Sequence, residues 1–224
     1  MKKIIVANWK SNKNQEEVEF WLDTFKTYTD LNNEVVIAPP YPFLSLVADK
    51  VKDQKDISLA VQNLSAYPAG SYTGEICVRN IEGFEIKYAI LGHSERRRYL
   101  GENHQDVANK VDLCLAGKIT PIICIDVDYL EDQASAISSE NLEKCIVAYE
   151  PPNAISTNGG ENPSVKEVSK AVIKIKEIFG EIKVIYGGNV TPDNVSDYLS
   201  TTDGVLVGGA SLDAKIFEQL AYKE

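Results

Sequence analysis

The chain has 224 residues, a net charge of −10 at pH 7 and 44% hydrophobic residues. This length and apolar content allow a large buried core, and the acidic balance argues against a general binder of nucleic acid or anionic membranes. A small anionic substrate is compatible with this charge, because backbone N–H groups and one lysine can hold a phosphate locally.

The amino-terminal residues predict a cytosolic protein. The apolar run of residues 4–7 is too short for the core of a signal peptide, and no run approaches the length of a membrane span. No linker or shift in composition divides the chain, so we expect a single domain over residues 1–224. Four cysteines lack metal-ligand spacing and are interpreted as reduced, buried thiols: Cys77, Cys114, Cys124 and Cys145.

Short apolar runs alternate with amphipathic segments along the whole chain. Their near-continuous hydrophobicity predicts parallel strands that are covered on both faces. The predicted strands are Ile4–Ala7, Val35–Ala38, Ser58–Val61, Tyr88–Leu91, Pro121–Ile125, Ile146–Tyr149, Lys183–Tyr186 and Gly204–Val207. This alternation predicts an α/β protein, built either as a closed barrel or as an open doubly wound sheet.

Helical spacing of apolar residues predicts the intervening helices. The first helix is marked by a core-facing stripe of Val18, Trp21, Leu22 and Phe25. A short helix is expected over residues 94–98. Only a brief fifth helix, around residues 129–137, fits before the sixth strand.

Two later helices carry start signals in the sequence. Asn162 is the predicted cap of one helix, with Pro163 at its first position and Gly180 at its end. Its apolar stripe is Val165, Val168, Val172, Ile175 and Phe179. Thr191-Pro192 predicts the start of the next helix, which has Val195 and Leu199 on its inner side.

Glycine pairs follow the last two predicted strands, Gly187-Gly188 after the seventh and Gly208-Gly209 after the eighth. A phosphate site commonly lies after these two strands in a closed (β/α)8 barrel, so the pairs favour the barrel. Residues 210–212 resemble a helix start, where bare N–H groups bind phosphate. No glycine-rich dinucleotide motif follows the first strand, which weakens the open-sheet alternative.

Three polar residues stand at the carboxyl ends of predicted strands. Glu150 follows the sixth strand, His93 follows the fourth, and Lys10 follows the first, with Asn8 beside it. A carboxylate, an imidazole and an ammonium at the same end of a parallel barrel predict one proton-transfer site. An imidazole at a helix N-terminus is favoured in its neutral form, which can donate a hydrogen bond to a carbonyl oxygen.

Each of these residues also has a plain structural interpretation. Glu150 alone could be a solvated loop residue, and an isolated lysine is usually exposed. His104 lies in a polar stretch and is predicted to be a surface residue. The arginine run of residues 96–98 is interpreted as a solvated or ion-paired helix face rather than as an anion site.

Six motifs, in order along nearly the full chain, resemble those of triosephosphate isomerase. They are Asn8-Trp9-Lys10, Tyr72-Thr73-Gly74-Glu75, Ile90 to Arg97, Ala148-Tyr149-Glu150-Pro151 with Ala154-Ile155, Tyr186-Gly187-Gly188 and Leu206 to Leu212. The resemblance implies a TIM barrel that interconverts dihydroxyacetone phosphate and D-glyceraldehyde 3-phosphate through an enediolate. It implies a glycolytic and gluconeogenic enzyme that needs no metal and no organic cofactor.

The resemblance also implies roles for the matching residues. Glu150 would shuttle a proton between C1 and C2, His93 would be the neutral electrophile, and Lys10 would bind and stabilise the substrate beside Asn8. Glu95 would hold the Lys10 region in place. Thr73, in the long connection of residues 62–78, would reach across a dimer interface towards the partner's site. The residues at the phosphate-contact positions are Ser156, Asn189, Gly208 and Gly209.

The chain departs from the family pattern at several positions. Asn153 and Ser156 stand where the lid usually has tryptophan and glycine, and Asn189 stands where serine is usual. Asp126-Val127 replaces the usual Gly-Glu. The stretch from Cys124 to Tyr149 is short and resembles the compact archaeal branch, whose members often form tetramers. We therefore expect a trimmed barrel with a shortened fifth βα unit, a homodimer or, alternatively, a tetramer.

Two other functions are alternatives to the isomerase. A catalytically silent phosphate-ligand binder or assembly protein on the same barrel would not need a base opposite an electrophile. The presence together of Asn8, Lys10, His93 and Glu150 therefore argues against it. A ribulose-phosphate epimerase would need metal-ligand histidines at strand ends, and two histidines in the chain hardly supply them.

Overall fold

A computed structural model of the protein describes residues 2–25, 33–151, 154 and 162–223. Eight parallel strands form a closed barrel in which each strand pairs with the next in the chain, and the eighth pairs with the first. The strands are β1 (Ile4–Asn8), β2 (Glu34–Ala38), β3 (Ile57–Val61), β4 (Ile86–Leu91), β5 (Thr120–Ile125), β6 (Ile146–Tyr149), β7 (Lys183–Tyr186) and β8 (Gly204–Val207). The predicted (β/α)8 barrel is confirmed, and each predicted strand overlaps an observed one.

Helices cover the outside of the barrel. The α-helices are α1 (Gln15–Thr24), α2 (Leu44–Val51), α3 (Ser94–Leu100), α4 (His104–Ala116), α5 (Leu130–Ala136), α6 (Ser139–Leu142), α7 (Val165–Phe179), α8 (Val195–Leu199) and α9 (Ala214–Ala221). Short 3₁₀ helices lie at Tyr41–Phe43, Val78–Ile81, Val127–Tyr129 and Gly209–Leu212. The brief fifth helix is confirmed as α5. Within the described residues, no helix has the length and apolar character to span a bilayer.

The strands are apolar on both faces because each face packs against a different part of the core. Along β1, Ile4 and Val6 belong to one buried cluster, and Ile5 and Ala7 belong to another. Side chains of a strand alternate between its two faces, so one cluster fills the barrel and the other joins the strands to the helices. This double burial explains the near-continuous hydrophobicity of the sequence.

Two predicted helix starts need correction. The cap of α7 is Ser164, not Asn162, because the Ser164 hydroxyl accepts a hydrogen bond from the Glu167 N–H in a capping box. The Asn162 amide instead donates to the Asn189 carbonyl. The predicted end at Gly180 is confirmed, with φ at +86°. The helix expected from Thr191-Pro192 begins only at Val195, after a turn.

Candidate active site

The carboxyl ends of the strands enclose a small pocket. Its lining includes Lys10 after β1, His93 after β4 and Glu150 after β6. The remaining lining residues are Asn8, Gly187, Gly188, Leu206 and Gly208. The structure thus brings together the carboxylate, imidazole and ammonium that the strand ends predicted.

Glu150 is buried, with only 3% of its surface exposed, and its carboxylate is held by hydrogen-bond donors. Oε2 accepts from the Ser94 N–H at 3.1 Å, and Oε1 lies 3.1 Å from His93 Nε2. The Cys124 thiol also hydrogen-bonds to this carboxylate, and burial followed by the Glu150 charge raises the pKa of Cys124. A buried carboxylate needs such donors, because an unpaired one would carry a large desolvation cost.

The ring of His93 has a defined hydrogen-bonding pattern. His93 precedes α3, and its Nδ1 accepts from the Glu95 N–H at 3.2 Å. An accepting Nδ1 carries no proton, so Nε2 is the protonated nitrogen, and it faces Glu150. In this arrangement the N–H of His93 is directed into the pocket, towards Glu150.

Lys10 is held at both its backbone and its side chain. Its N–H donates to Asn8 Oδ1 at 3.1 Å, and its Nζ lies 2.6 Å from Glu95 Oε1. The backbone of Lys10 has φ at +52°, a left-handed conformation that costs energy for a residue with a side chain. Asn8 and Glu95 therefore fix the direction in which the ammonium points.

The glycines at the ends of β7 and β8 allow close approach to the site. A methyl group added at Gly187 would lie 2.9 Å from Glu150 Cγ, and one added at Gly208 would lie 3.4 Å from Lys10 Cε. Gly208 precedes the 3₁₀ helix Gly209–Leu212, whose first N–H groups form a potential anion site. The Trp21 indole N–H donates to the Ser211 carbonyl at 3.0 Å, which ties this turn to α1.

The other predicted site residues are less directly connected to the pocket. Asn189 and Gly209 are exposed, and neither belongs to the described residues that line it. Thr73 is also exposed, on the irregular segment of residues 62–77. Ser156 and Asn153 lie outside the described residues. Lys10, His93 and Glu150 thus form the centre of the site, with Asn8, Glu95 and Gly208 around it.

The prediction that His104 is a surface residue is wrong. His104 is half-buried at the start of α4, and its Nδ1 lies 3.3 Å from both Arg97 Nη1 and Gln133 Oε1. Its neighbours come from α3 and α5, which a local reading of the sequence does not connect. The four cysteines are free and buried, as predicted.

Sequence reasoning missed several groups around the catalytic side chains. The backbone N–H of Ser94, which donates to Glu150, could not be predicted from the residue type, because almost every residue has such a group. Glu102 is buried and accepts from the Gly92 N–H at 2.9 Å, while the Arg97 side chain donates to the Gly92 carbonyl at 2.8 Å. An arginine at the end of a strand-end motif and an acid shortly after it are a weak signal, since such residues are mostly solvated.

Asp126 follows β5 and is an unusual buried acid. Only 6% of its surface is exposed, and Oδ1 has no hydrogen-bond partner among the described residues. Burial raises the pKa of Asp126, the N–H groups of Val127 and Asp128 offset this in part, and the charge of Asp128 adds to it. A raised pKa in the folded state means that the carboxylate form costs stability at neutral pH.

The Asp126→Asn variant is therefore expected to be more stable than the native protein at pH 7, by a few degrees in Tm. The stability linked to a protonated Asp126 is present at low pH and is lost as pH rises through the raised pKa. The difference in Tm between Asp126→Asn and the native protein should therefore shrink as pH falls through the raised pKa of Asp126. Thermal unfolding at several pH values measures this difference in Tm, with Asp53→Asn at an exposed position as the control. A lower Tm for Asp126→Asn at pH 7 would contradict the interpretation.

The described part of the chain contains no cluster of three or more histidine, cysteine, aspartate or glutamate side chains arranged to hold a metal ion.

Comparison with known proteins gives one consistent result. The protein-family model described as triosephosphate isomerase matches residues 3–224.

Curated relatives carry the same name. The triosephosphate isomerase of Mesomycoplasma hyopneumoniae is 36% identical over 242 aligned positions, which cover 98% of each chain. Those of Thermus thermophilus and Dictyoglomus turgidum are 35% and 33% identical, over 97% and 96% of this chain and 97% of their own lengths. The alignments are longer than the 224 residues of the chain, so the relatives carry residues that it lacks.

Proposed function

This chain belongs to the triosephosphate isomerase family, and from that premise we propose that its pocket interconverts dihydroxyacetone phosphate and D-glyceraldehyde 3-phosphate. One observation carries the assignment to these residues. The His93 Nε2–H faces Glu150 Oε1 at 3.1 Å, in a pocket that Lys10 also lines. A base and a neutral hydrogen-bond donor this close together suit proton abstraction next to a carbonyl group.

In the proposed reaction, Glu150 accepts the proton from C1 of dihydroxyacetone phosphate. The electron pair of that C–H bond forms the C1–C2 double bond, and negative charge develops on the oxygen at C2. The Nε2–H of His93 and the ammonium of Lys10 stabilise that charge. The hydroxyl proton moves from O1 to O2, and Glu150 returns its proton to C2, which gives glyceraldehyde 3-phosphate.

Substrate binding must rearrange the contacts of Glu150. Its two oxygens are engaged by His93 and by the Ser94 N–H, so the base is not directed at a substrate carbon in this arrangement. We propose that substrate takes the place of Glu150 as the hydrogen-bond acceptor of His93. The same exchange frees the carboxylate to accept a proton, which couples binding to activation of the base.

The substrate phosphate is assigned to the turns after β7 and β8. Gly208 lies beside Lys10 and precedes a 3₁₀ helix, which favours an anion near its N–H groups. The family resemblance predicts further phosphate contacts at Gly209, Asn189 and Ser156. Asn8 and Glu95 are proposed to hold Lys10 rather than to touch the reacting carbons.

A coupled assay with glyceraldehyde 3-phosphate tests the function. We expect turnover by the purified chain without added metal or cofactor. An inactive native chain that still binds a triose phosphate analogue would instead support the alternative of a catalytically silent binder.

We also propose that the protein acts in the cytosol, as a single barrel domain over residues 1–224. Four buried, free thiols suit a reducing compartment. The barrel is closed between β1 and β8, and its strands run along the whole described chain, which supports one folding unit.

A homodimer is proposed from the loop of residues 62–77. The loop is closed at its base by the Ser65 N–H to Ile76 carbonyl hydrogen bond, and two stacked tyrosines, Tyr67 and Tyr72, are 48% and 42% exposed. Exposed, mutually ordered aromatic rings are typical of an interface. In the proposed dimer, Thr73 lies near the partner's Lys10. A tetramer would require a further contact surface.

The Thr73→Arg variant is expected to weaken self-association by roughly tenfold to a hundredfold, because it adds a charge to a packed interface. Sedimentation velocity over a concentration series measures this, and kcat should fall as monomer accumulates. Ser196→Arg, on the exposed face of α8, is the matched control. A native protein that is monomeric at micromolar concentration and fully active would contradict the proposed dimer.

A further inference from the structure

Both backbone polar groups of Gly92, the residue directly before His93, are held by side chains. Its N–H donates to Glu102 Oε1 at 2.9 Å, and its carbonyl accepts from Arg97 Nε at 2.8 Å. Gly92 has φ at +66°, and a methyl group added there would lie 2.6 Å from Arg97 Nη2. The direction of the His93 side chain therefore depends on how these two residues fix the Gly92 backbone.

Arg97 is itself fixed from the opposite side. Its Nη2 donates to Gln133 Oε1 at 2.7 Å, and its guanidinium group lies over the ring of Tyr129, 4.7 Å from the ring centroid. Gln133 is fully buried, and its amide donates to the His104 carbonyl at 3.1 Å. A buried amide that is satisfied at both ends has one preferred orientation, so it presents its oxygen to Arg97.

Tyr129 and Gln133 both come from the shortened fifth βα unit. Tyr129 ends the 3₁₀ helix Val127–Tyr129, and Gln133 lies on α5. Burial raises the pKa of Tyr129 to about 12, and the positive charge of Arg97 acts in the opposite direction. The phenol is thus neutral at pH 7. Its oxygen interacts with the backbone of Asp126, so the ring face is the part that meets Arg97.

We propose that Tyr129 and Gln133 are positioning residues for the His93 imidazole, which they orient through the Arg97 guanidinium and the Gly92 carbonyl. Neither side chain touches the substrate. The fifth βα unit then has a role in the reaction, because it holds Arg97. Arg97 in turn fixes the backbone of Gly92, the residue before His93. This inference rests on the proposed function, since it assumes that His93 stabilises the developing charge.

The test compares variants that break these contacts with variants that keep them. Gln133→Leu removes the acceptor for Arg97, and Tyr129→Leu removes the ring. We expect each to lower kcat by roughly tenfold to a hundredfold, since small displacements of a catalytic group have effects of this size. The KM for glyceraldehyde 3-phosphate should change by less than about threefold, because the phosphate contacts are untouched.

Conservative variants provide the matched rescue. Gln133→Glu gives up the donor to the His104 carbonyl but keeps an oxygen for Arg97. Tyr129→Phe keeps the ring, so both variants should retain most of the native kcat. Asp132→Leu changes an exposed position of the same helix and controls for the loss of a polar residue from α5.

A spectroscopic measurement separates positioning from stability. The chain has only two histidines, so proton–nitrogen NMR of the imidazole groups yields two sets of signals, which a His104→Gln variant assigns. We expect the His93 signals to move in Gln133→Leu and Tyr129→Leu and to stay near the native positions in Gln133→Glu and Tyr129→Phe. Unchanged kcat and unmoved His93 signals, with a lower Tm alone, would overturn the proposal.

Arg97→Lys provides a second route if the leucine variants do not fold. A lysine can donate to the Gly92 carbonyl, but it cannot also bridge to Gln133 with a planar fork. The same loss of kcat and the same shift of the His93 signals are expected, and native values for both would overturn the proposal. If the native chain has no isomerase activity, the proposed function fails, and the NMR comparison still tests the orientation of His93 by itself.

Discussion

The Glu150→Gln variant is expected to fold like the native protein and to lose roughly 10²- to 10⁴-fold in kcat, the usual contribution of a positioned general base. Glutamine has nearly the same shape as glutamate, but its amide does not accept a proton from carbon. The buried carboxylate now receives hydrogen bonds from Ser94 and His93. A glutamine can accept only part of them, so a modest decrease in Tm is also expected.

The measurement is steady-state kinetics in both directions with protein whose mass has been verified. KM should change much less than kcat, because the phosphate-binding turns lie on other strands. Glu131→Gln, at an exposed position of α5, is the control for removing one negative charge. Near-native kcat in Glu150→Gln would show that another group removes the proton.

The Glu102→Leu variant is expected to lower the free energy of unfolding by about 3–5 kcal/mol, the usual cost of removing one partner from a buried ion pair. Glu102 Oε2 lies 2.6 Å from Lys110 Nζ and 2.5 Å from Arg96 Nε. The side chains of Glu102 and Lys110 are 3% and 4% exposed. Leucine would leave the buried ammonium without its anion and the Gly92 N–H without its acceptor.

The same ion pair predicts a pH dependence. Burial acts to raise the pKa of Glu102, but the hydrogen bond and charge of Lys110, and then those of Arg96, outweigh it and leave the pKa below its usual value. A lowered pKa in the folded state contributes stability above the unfolded-state pKa, and this contribution is lost as pH falls through the folded-state pKa. The difference in the free energy of unfolding between Glu102→Leu and the native protein should therefore become smaller at acidic pH.

Denaturant unfolding of single and double variants measures the pair. Lys110→Met combined with Glu102→Leu should be more stable than Glu102→Leu alone, because no unpaired ammonium then remains at position 110. Glu131→Leu is the exposed control. A loss below about 1 kcal/mol in Glu102→Leu, the range of exposed ion pairs, would mean that water reaches the cluster.

The fold was largely predictable because parallel barrel strands are buried on both faces. In β5 and β6, every residue from Pro121 to Ile125 and from Ile146 to Tyr149 is buried, and such runs stand out in the sequence. Helix starts were less predictable. Asn162 and Ser164 are both good caps, and the choice depends on Asn189, which lies far away in the chain.

The centre of the site was predictable because polar residues at buried strand ends are conspicuous. The residues that hold the catalytic side chains in place could not be predicted. Glu102 and Gln133 lie in segments that look solvated, and their role depends on how α3, α4 and α5 pack together. The sequence suggested an ion-paired face for the arginine run, and Arg96 does pair with Glu102. It gave no indication that Arg97 would bind the Gly92 carbonyl.

The pairing of β1 with β8 also constrains how the protein is made. β1 is synthesised before the other strands of the barrel, and one of its edges finds its hydrogen-bond partners only in β8, which ends at Val207. During translation that edge, with Ile4 to Ala7, is an apolar strand without its neighbour, the kind of edge that pairs with other chains. Aggregation of nascent chains should therefore depend on how quickly the segment that ends with β8 is synthesised. Slower translation there lengthens the time for which the edge stays open.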